Sequence, residues 1–239
     1  MIVLGIECTA SPVSCAVFQD GKLKAEYFLD VKTTHSQTLL PMVEQALNVC
    51  NLKVSDIDLI AISEGPGSFT GVRIGISAVK GLAQPLKIPC RPISVLLSMA
   101  YNMSAVDCYV CAVMDARCNQ VYNSLFSVQN GRVTRLCEDR ALMIDELKTE
   151  VSQILEKDKT KSFFVVGDGA ELFYEKAKDD CEGIKLAPPH LVRQRASGIC
   201  IAALQNADDK KDVSAEELLP KYLRLPQAER ELKAKQMKG

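Results

Sequence analysis

Asp58-Leu-Ile-Ala-Ile-Ser-Glu-Gly-Pro-Gly-Ser-Phe-Thr-Gly-Val-Arg-Ile-Gly75 is the most informative stretch of the sequence. Its first six residues form an apolar run that predicts a buried strand, and a helix is predicted from about Thr70 to Ala83. The glycines and the proline between them predict a tight connection. A strand, a glycine-rich loop and a helix in this order indicate an α/β protein.

The residues before this stretch predict three strands and a helix. The strands are expected at 2–7, 13–19 and 22–29, because apolar residues run or alternate there. Asp20-Gly21 supplies the two residues of a type I′ hairpin turn. From about residue 36 to 50 the apolar residues recur at helical spacing, so the order up to Ala83 is strand, strand, strand, helix, strand, helix.

The same order recurs after residue 107. Asn130-Gly131 supplies a second type I′ signal, 110 positions after the first. The predicted elements are strands at 108–114, 120–128 and 132–138, a helix at 143–156, a strand at 163–166 and a helix from about Ala170. Because element order and turn type both repeat, the sequence predicts two duplicated lobes, each with a mixed sheet flanked by helices.

This duplication sets the expected domain organisation. We expect an N-terminal lobe at 1–104 and a C-terminal lobe at 105–200. Residues 201–239 are rich in charge, and we expect them to form a helical segment with a frayed tail.

Charge and hydropathy exclude several classes of protein. The 239 residues carry 29 Lys+Arg and 30 Asp+Glu, a net charge of −1, so a domain that holds nucleic acid by itself is not expected. The N-terminus has no basic region before its apolar run, so no signal peptide is predicted. No stretch reaches the roughly 18–20 apolar residues of a membrane helix. We therefore expect a cytoplasmic protein with no membrane contact.

The ten cysteines are expected to be reduced thiols that act as small apolar residues. Cys108-Tyr-Val-Cys111 has the C-x-x-C spacing, but it lies in a predicted strand. Residues i and i+3 of a strand point to opposite faces, so neither a metal site nor a redox pair is predicted there.

The glycine loop resembles a phosphate loop but lacks the complete pattern of one. No lysine followed by serine or threonine occurs in it, and Thr70 stands where G-x-G-x-x-G has its third glycine. Independent nucleotide hydrolysis is therefore disfavoured. The residues of a vestigial nucleotide or anion loop would be Glu7, Gly65, Gly67, Ser68 and Thr70.

Small residues form a stripe on the helix after this loop. Gly71, Gly75, Ala78 and Leu82 occupy i, i+4, i+7 and i+11. An interior glycine costs about 1 kcal/mol against alanine, so the stripe has a packing reason. It either seats the helix on its own sheet or permits close approach of another helix, and the pattern leaves both readings open.

Six strings in the sequence resemble the TsaB (YeaZ) family, and they extend from the first strand to about residue 224. The most specific is the glycine-loop string Gly65–Gly75. The others are His35-Ser-Gln-Thr-Leu-Leu-Pro41, Lys80-Gly-Leu-Ala83, Met114-Asp-Ala-Arg117 with Gln120-Val-Tyr122, Gly167-Asp-Gly169 and Leu219-Pro-Lys-Tyr-Leu-Arg224. The resemblance implies the actin-like/Hsp70-like ATPase (ASKHA) fold, which agrees with the two lobes expected from the pattern.

The resemblance also implies a function. Members of the family take part in forming N6-threonylcarbamoyladenosine at position 37 of tRNAs that read codons beginning with A. They act as a non-catalytic subunit that binds and activates the related catalytic subunit TsaD, and the ATPase TsaE joins the complex. The resemblance thus implies tRNA binding through the complex, a homodimer when TsaD is absent and no cofactor of its own. ATP or ADP at the boundary with TsaD is left open.

Two details of the sequence bear on this resemblance. TsaD-like proteins hold a metal through histidines, whereas the matching segment Ser94–Ala100 has none and His35 and His190 are isolated, so no metal is expected. The family usually begins with an Ile-Asp-Thr-Ser-like strand end, and this chain has Ile6-Glu7-Cys8-Thr9. Glu7 and Asp115 either hydrogen-bond nearby loop amides or mark a vestigial nucleotide site.

The resemblance places the TsaD-binding surface on the first-lobe helices at about 36–50 and 70–83. The residues expected to bind the partner are Leu39, Leu40, Val43, Leu47, Gly71, Arg73, Gly75, Ala78 and Leu82. We expect Gly75→Leu to abolish binding to TsaD while the monomer stays folded.

Three other functions are weighed against this one. The first is a small-molecule kinase or ATPase of the same fold, in which Glu7 and the 65–71 loop hold ATP and Mg²⁺. The second is a glycoprotease-like hydrolase, which needs a bound metal. The third is a simple tRNA-binding module. The balanced charge predicts that the isolated protein binds tRNA weakly.

Overall fold

The first lobe contains the elements predicted for it, and its helices lie close to their predicted bounds. A computed structural model describes residues 1–31, 33–205 and 211–224. The elements are β1 (Ile2–Glu7), β2 (Val13–Gln19), β3 (Lys22–Leu29), α1 (His35–Val49), a 3₁₀ turn (Val54–Asp56), β4 (Leu59–Gly65), α2 (Phe69–Ala83) and β5 (Cys90–Ser94).

The second lobe follows a short helix and repeats the pattern with two additions. Its elements are α3 (Val95–Tyr101), β6 (Cys108–Asp115), β7 (Gln120–Gln129), β8 (Arg132–Arg135), β9 (Arg140–Met143), α4 (Ile144–Lys157), β10 (Ser162–Val166), α5 (Ala170–Ala177), β11 (Ile184–Leu186) and α6 (Ala196–Leu204). Among these, β9, β11 and the extent of α6 were not predicted.

Strand order confirms the duplication. In the described residues the first sheet runs β3-β2-β1-β4-β5, and the second runs β8-β7-β6-β10-β11 when read in the same direction. β1 pairs antiparallel with β2 and parallel with β4, and β6 pairs in the same way with β7 and β10. Each lobe is therefore one copy of the same mixed sheet.

The two predicted hairpin turns are present in both copies. Asp20 and Gly21 have φ angles of 53° and 73°, and Asn130 and Gly131 have φ angles of 50° and 76°. Positive φ at both central residues is the requirement of a type I′ turn, and Asp or Asn followed by Gly meets it at low cost. These two dipeptides fix the register of the antiparallel strands around them.

The strand predicted at 132–138 is shorter than expected. β8 ends at Arg135, and the chain then turns and adds β9 to the other half of β7. The Arg135 guanidinium donates to the buried carboxylate of Asp139 across this turn. An ion pair at i, i+4 closes the turn, so the pairing shifts from one half of the long β7 strand to the other.

The helix predicted within 201–239 is present only at residues 201–204, the end of α6, and is absent from 211–224. α6 begins at Ala196 and packs against β1 and β2 of the first lobe. Its sequence Ala196–Leu204 is apolar on all sides, which suits a helix buried between two lobes and not a solvated tail. Residues 211–224 form turns and a β-bridge with no helix. The predicted frayed end lies outside the described residues.

Residues 211–224, which we call the C-terminal strap, return to the first lobe. Val213 exchanges two backbone hydrogen bonds with Cys90 of β5, at 2.8 and 2.9 Å. The Arg91 guanidinium donates to Asp212 at 2.6 Å. Further along, the amide of Lys221 donates to the carbonyl of Glu64, at the end of β4. The strap thus runs across the edge of the first sheet toward the glycine loop.

The first sheet is covered on both faces. Alternate residues of β1, such as Leu4 and Ile6, pack with α1 and α2, while Val3 packs in the core that α3 and α6 share with the second lobe. This alternation is the period-2 pattern of a strand. It places α1 and α2 on the outer face of the first lobe, with one side of each helix toward solvent. Among the described residues, no helix has the length and apolar character that crossing a membrane requires.

The glycines of α2 face the interior of the lobe. A Cβ atom built at Gly71 would overlap the carbonyl oxygen of Cys8, and one built at Gly75 would overlap the Cys8 sulfur. The Cys8 thiol donates to the carbonyl of Gly71 at 3.2 Å. The expectation that Gly75→Leu leaves the monomer folded is therefore wrong, because the added side chain collides with the end of β1.

We predict that Gly71→Ala lowers the free energy of unfolding by about 2 kcal/mol or more, because backbone atoms of Cys8 cannot move aside. Urea unfolding followed by far-UV circular dichroism measures this change. Gly81→Ala in the same helix is the matched control, since nothing lies within 4 Å of the added Cβ. The control is expected to raise stability by about 0.5–1 kcal/mol. Equal effects of the two variants would contradict this packing.

Candidate functional site

A cleft of about 710 Å³ lies between the two lobes. It forms where the carboxyl ends of β1, β4, β6 and β10 face each other, which is the usual position of a ligand site in a parallel α/β sheet. Its lining residues are Thr9, Ala10, Ser11, Thr33, Thr34, His35, Ser36, Gly67, Ser68, Phe69, Thr70, Gly71, Ile74, Met114, Asp115, Ala116, Arg117, Tyr122 and Asp168.

Glu7 lies beneath this cleft and is fully buried at the end of β1. Its Oε1 atom accepts hydrogen bonds from the backbone amide and the hydroxyl of Thr9, at 2.6 and 2.5 Å. Its Oε2 atom is buried with no hydrogen-bond partner among the described residues. Burial raises the pKa of Glu7, and the Thr9 hydrogen bonds oppose that rise. The hydrogen bond to a loop amide that was considered for Glu7 is present, and the vestigial nucleotide site stays a prediction.

Asp115 and Asp168 supply two further carboxylates from the second lobe. Asp115 Oδ1 accepts the amide of Arg117 at 2.8 Å, so it also binds a loop amide. Asp168 Oδ1 accepts from the Gln194 side chain at 2.8 Å. Burial raises the pKa of Asp168 to about 6, and the Gln194 hydrogen bond opposes this rise. Asp115 and Asp168 line the cleft together with the exposed Arg117, whose guanidinium lies 3.4 Å from the Asp115 carboxylate.

The glycine loop is tied to the β1 end. The Ser68 amide donates to the Thr9 carbonyl at 2.7 Å, and the Ser68 hydroxyl accepts from the Gly71 amide at 3.2 Å as the N-cap of α2. Gly65 has a φ of 120° and lies against the carbonyl of Lys221, with 2.5 Å between that oxygen and a built Cβ. The amides of Ser68 and Gly71 thus already have acceptors within the chain, and the nucleotide or anion loop predicted at Glu7, Gly65, Gly67, Ser68 and Thr70 stays a prediction.

The two histidines lie apart and have separate contacts. His35 Nε2 is 2.8 Å from the carbonyl oxygen of Ala10 at the cleft mouth. The backbone carbonyl of His190 accepts from Arg195 at 3.1 Å in the second lobe. Within residues 1–31, 33–205 and 211–224, no three His, Cys, Asp or Glu side chains form a group that could hold a metal. All ten cysteines are free thiols.

The predicted partner-binding residues divide between interior and surface. Leu39, Val43 and Leu47 are at most 3% exposed and pack on the sheet, as do Gly71 and Gly75. The remaining four lie on the outer face: Leu40 at 47% exposure, Arg73, which is exposed, and Ala78 and Leu82, which are half-buried.

Two of these outer residues, Leu40 and Leu82, border a groove of about 480 Å³ on the first lobe. The groove lies between α1 and the 3₁₀ turn, and Leu40, Glu44 and Leu82 line it. Exposed Ser77 and Gly81 continue the outer side of α2. We call the outer sides of α1 and α2, from Leu40 to Leu82, the helical face.

Sequence reasoning missed two parts of these sites. Gln194 was not assigned to the cleft, because nothing in its local sequence connects it with Asp168. Tyr222 belongs to the string 219–224, but no role was predicted for its side chain. Its contact with Arg73 on α2 spans 149 positions. The apolar and aromatic residues of that string were the available signal for a packed segment.

The duplicated sheets, the interlobe cleft and the strand order define a protein of the actin-like ATPase (ASKHA) class. A family model described as TsaD, tRNA N6-adenosine threonylcarbamoyltransferase, matches residues 30–232. TsaB of Bacillus subtilis is 31% identical over 229 residues, which is 96% of each chain. TsaB of Escherichia coli is 30% identical over 94% of this chain and 95% of its own. The chain belongs to the TsaB (YeaZ) family of tRNA threonylcarbamoyladenosine biosynthesis proteins.

Other comparisons agree with this placement. The structure of YeaZ from Pseudomonas aeruginosa has a TM-score of 0.75 and 27% identity, and the match covers 93% of this chain and 99% of that one. A tRNA N6-adenosine threonylcarbamoyltransferase of Protochlamydia amoebophila is 36% identical, but over only 37% of this chain and 31% of its own. The similarity to TsaB is thus full-length, while this similarity to the transferase is partial.

We predict that Asp168→Asn stabilises the protein at neutral pH. Because the pKa of Asp168 is raised from 3.8 to about 6, the folded state binds the proton more tightly than the unfolded state. The free energy of unfolding therefore falls as pH rises through this window. Asn removes the charge and raises stability at pH 7.5 by about 2 kcal/mol, less than the full shift implies because the residue keeps some solvent contact.

Urea midpoints between pH 3.5 and 8 measure this effect. The wild type is expected to lose stability between pH 4 and 6 relative to Asp168→Asn. If the urea midpoints of the two proteins changed with pH in parallel, the charge of Asp168 would not destabilise the folded state, and the prediction would be wrong.

Proposed function

We propose that the chain is a non-catalytic subunit that binds and activates TsaD in forming N6-threonylcarbamoyladenosine at position 37 of tRNA. The observation that carries this proposal is the helical face. Leu40 is 47% exposed beside a groove, although its neighbours Leu39 and Val43 are buried in the same helix. The groove beside it is lined mainly by apolar side chains, including those of Leu52, Val54 and Leu82, and a contiguous apolar patch favours contact with another protein.

The shape of the helical face suits a second pair of helices. The outer side of α2 carries only small side chains at Ser77, Ala78 and Gly81. Another helix can therefore pack close to the α2 axis. Ser77 and Gly81 are exposed, and nothing lies within 4 Å of a Cβ built at Gly81, whereas one built at Gly71 or Gly75 meets Cys8. The two pairs therefore have different packing roles. Ser77 and Gly81 leave room for a partner helix, whereas Gly71 and Gly75 let α2 pack closely on its own sheet.

The family relationship supports the identity of that partner. The curated relatives are named as threonylcarbamoyladenosine biosynthesis proteins, and the family model is named for the transferase itself. A chain that shares the transferase fold but matches TsaB in full length is well suited to pair with that transferase. We propose TsaD as the partner on the helical face, and a second copy of this chain on the same face when TsaD is absent.

The geometry of the cleft supports a subunit without its own chemistry. Glu7 already accepts two hydrogen bonds from Thr9, and the Ser68 amide already has an acceptor. A kinase or ATPase would need the Ser68 amide free to donate to a phosphate, whereas here it donates to Thr9, and only the Oε2 atom of Glu7 is left without a partner among the described residues. We propose that TsaE joins at the complex, that ATP or ADP binds at the boundary with TsaD, and that tRNA binds chiefly through TsaD, in line with the net charge of −1.

The direct test is reconstitution of the reaction. Purified TsaD, TsaE, the threonylcarbamoyl-adenylate donor and unmodified tRNA are assayed with and without this chain. We expect modified adenosine to form only when the chain is present. Equal modification without it would overturn the proposal.

We predict that Leu40→Arg weakens binding to TsaD by about tenfold or more, because a charged side chain then replaces an apolar contact at the interface. Isothermal titration calorimetry with purified TsaD measures the affinity. Leu136→Arg is the matched control, since Leu136 is also 47% exposed but lies in the second lobe. Loss of affinity in both variants, or in neither, would contradict the helical face as the interface.

A further inference from the structure

Arg73 and Tyr222 form a contact between α2 and the C-terminal strap that the proposed function does not explain. The Arg73 Nε atom donates to the Tyr222 hydroxyl at 2.8 Å, and the guanidinium carbon lies 5.7 Å from the ring centre. The Tyr222 ring packs on Phe69, with 4.6 Å between ring centres. One side chain of the strap, Tyr222, therefore contacts an exposed arginine of α2 through both its hydroxyl and its ring.

This contact follows from the spacing of residues on α2. Phe69 and Arg73 are four positions apart, so they lie on one side of the helix. Further along, the Lys80 ammonium and the Gln84 amide both donate to Glu216, at 3.1 and 3.4 Å. The strap thus covers one flank of α2, while Leu82 on the other flank faces α1. The exposed middle of α2, which is part of the helical face, runs between them.

Arg73 stands at the edge of that exposed middle. Its Nε atom is occupied by Tyr222, and its terminal amino groups have no hydrogen-bond partner in the described part of the chain. A free arginine loses about 2 kcal/mol of rotamer entropy when a partner fixes it. Tyr222 restricts the side chain before binding, so less of that cost falls on the binding step.

We propose that Tyr222 is a positioning residue that orders Arg73 on the helical face, and that Arg73 there binds a carboxylate of TsaD. This inference rests on the proposed function and adds a third element, the strap, to its interface. The two terminal amino groups of a guanidinium match the two oxygens of a carboxylate. The neighbours Thr70, Ser77 and Gly81 are uncharged, and the nearby Lys80 and Lys221 already bind Glu216 and Asp139, whereas an RNA backbone would require several free cations along the surface.

The first experiment uses Arg73 variants of the full chain to test whether Arg73 binds a negatively charged group of TsaD. Binding to purified TsaD is measured by calorimetry at low and at raised salt. Arg73→Gln is expected to weaken binding about tenfold at low salt, and Arg73→Glu further, because like charges then meet across the interface. Raised salt reduces the difference in TsaD affinity between Arg73→Gln and Arg73→Glu, because salt screens the charges. Arg132→Gln, an exposed arginine of the second lobe, is the control and leaves the affinity unchanged.

The role of Tyr222 is tested by removing only its hydroxyl. Tyr222→Phe keeps the ring on Phe69, and we expect about threefold weaker binding. Tyr222→Phe added to Arg73→Gln causes no further loss, because Tyr222 acts through Arg73. Tyr109→Phe is the matched control: it removes a hydroxyl that donates to Asp158 at 3.0 Å in the second lobe. A merely structural role would weaken binding equally in both Arg73 backgrounds and would lower the urea midpoint.

The outcomes separate this inference from the proposed function. If the Arg73 variants bind TsaD like the wild type while Leu40→Arg binds weakly, the inference is overturned and the proposed function stands. If Leu40→Arg also binds normally, the helical face is not the interface and the inference is overturned with it, while the proposed function fails only if tRNA is modified equally without this chain. If the Arg73 variants keep their affinity for TsaD but the complex loses tRNA, Arg73 binds phosphate and the inference is overturned.

Discussion

The close fit of α2 on the end of β1 is the contact on which both candidate sites depend. Cys8 lies against Gly71 and Gly75, so only glycine at these positions lets the helix approach the sheet so closely. Seated in this way, α2 turns one flank to α1 and the other to the C-terminal strap. The exposed side that is left between them is the centre of the helical face.

The same contact shapes the cleft. Thr9, one residue beyond Cys8, donates twice to Glu7 and accepts from the Ser68 amide of the glycine loop. A backbone amide that already donates within the chain is not free to cradle a phosphate. The cleft therefore has the shape found in an ATPase fold, and the Ser68 amide and one oxygen of Glu7 hydrogen-bond to Thr9, while Glu7 Oε2 has no partner among the described residues. This arrangement favours a subunit that works through its surface.

Local patterns in the sequence carried most of the fold, and long-range contacts account for what they missed. Asp20-Gly21 and Asn130-Gly131 revealed both hairpins because a type I′ turn depends on its own two residues. The glycine stripe showed that one side of α2 is small, but periodicity does not identify what approaches it. The place of α6 rests on the pairing of Arg195 with Glu26 of β3, 169 positions away, which no local pattern reports.

Hydrogen–deuterium exchange of this chain, alone and with TsaD, tests most directly whether the protein acts through the helical face. If TsaD binds the helical face, amide exchange slows in α1, α2 and the C-terminal strap on adding TsaD, with little change in α4 and α5 of the second lobe. Protection confined to the second lobe, with unchanged exchange in α1 and α2, would contradict it.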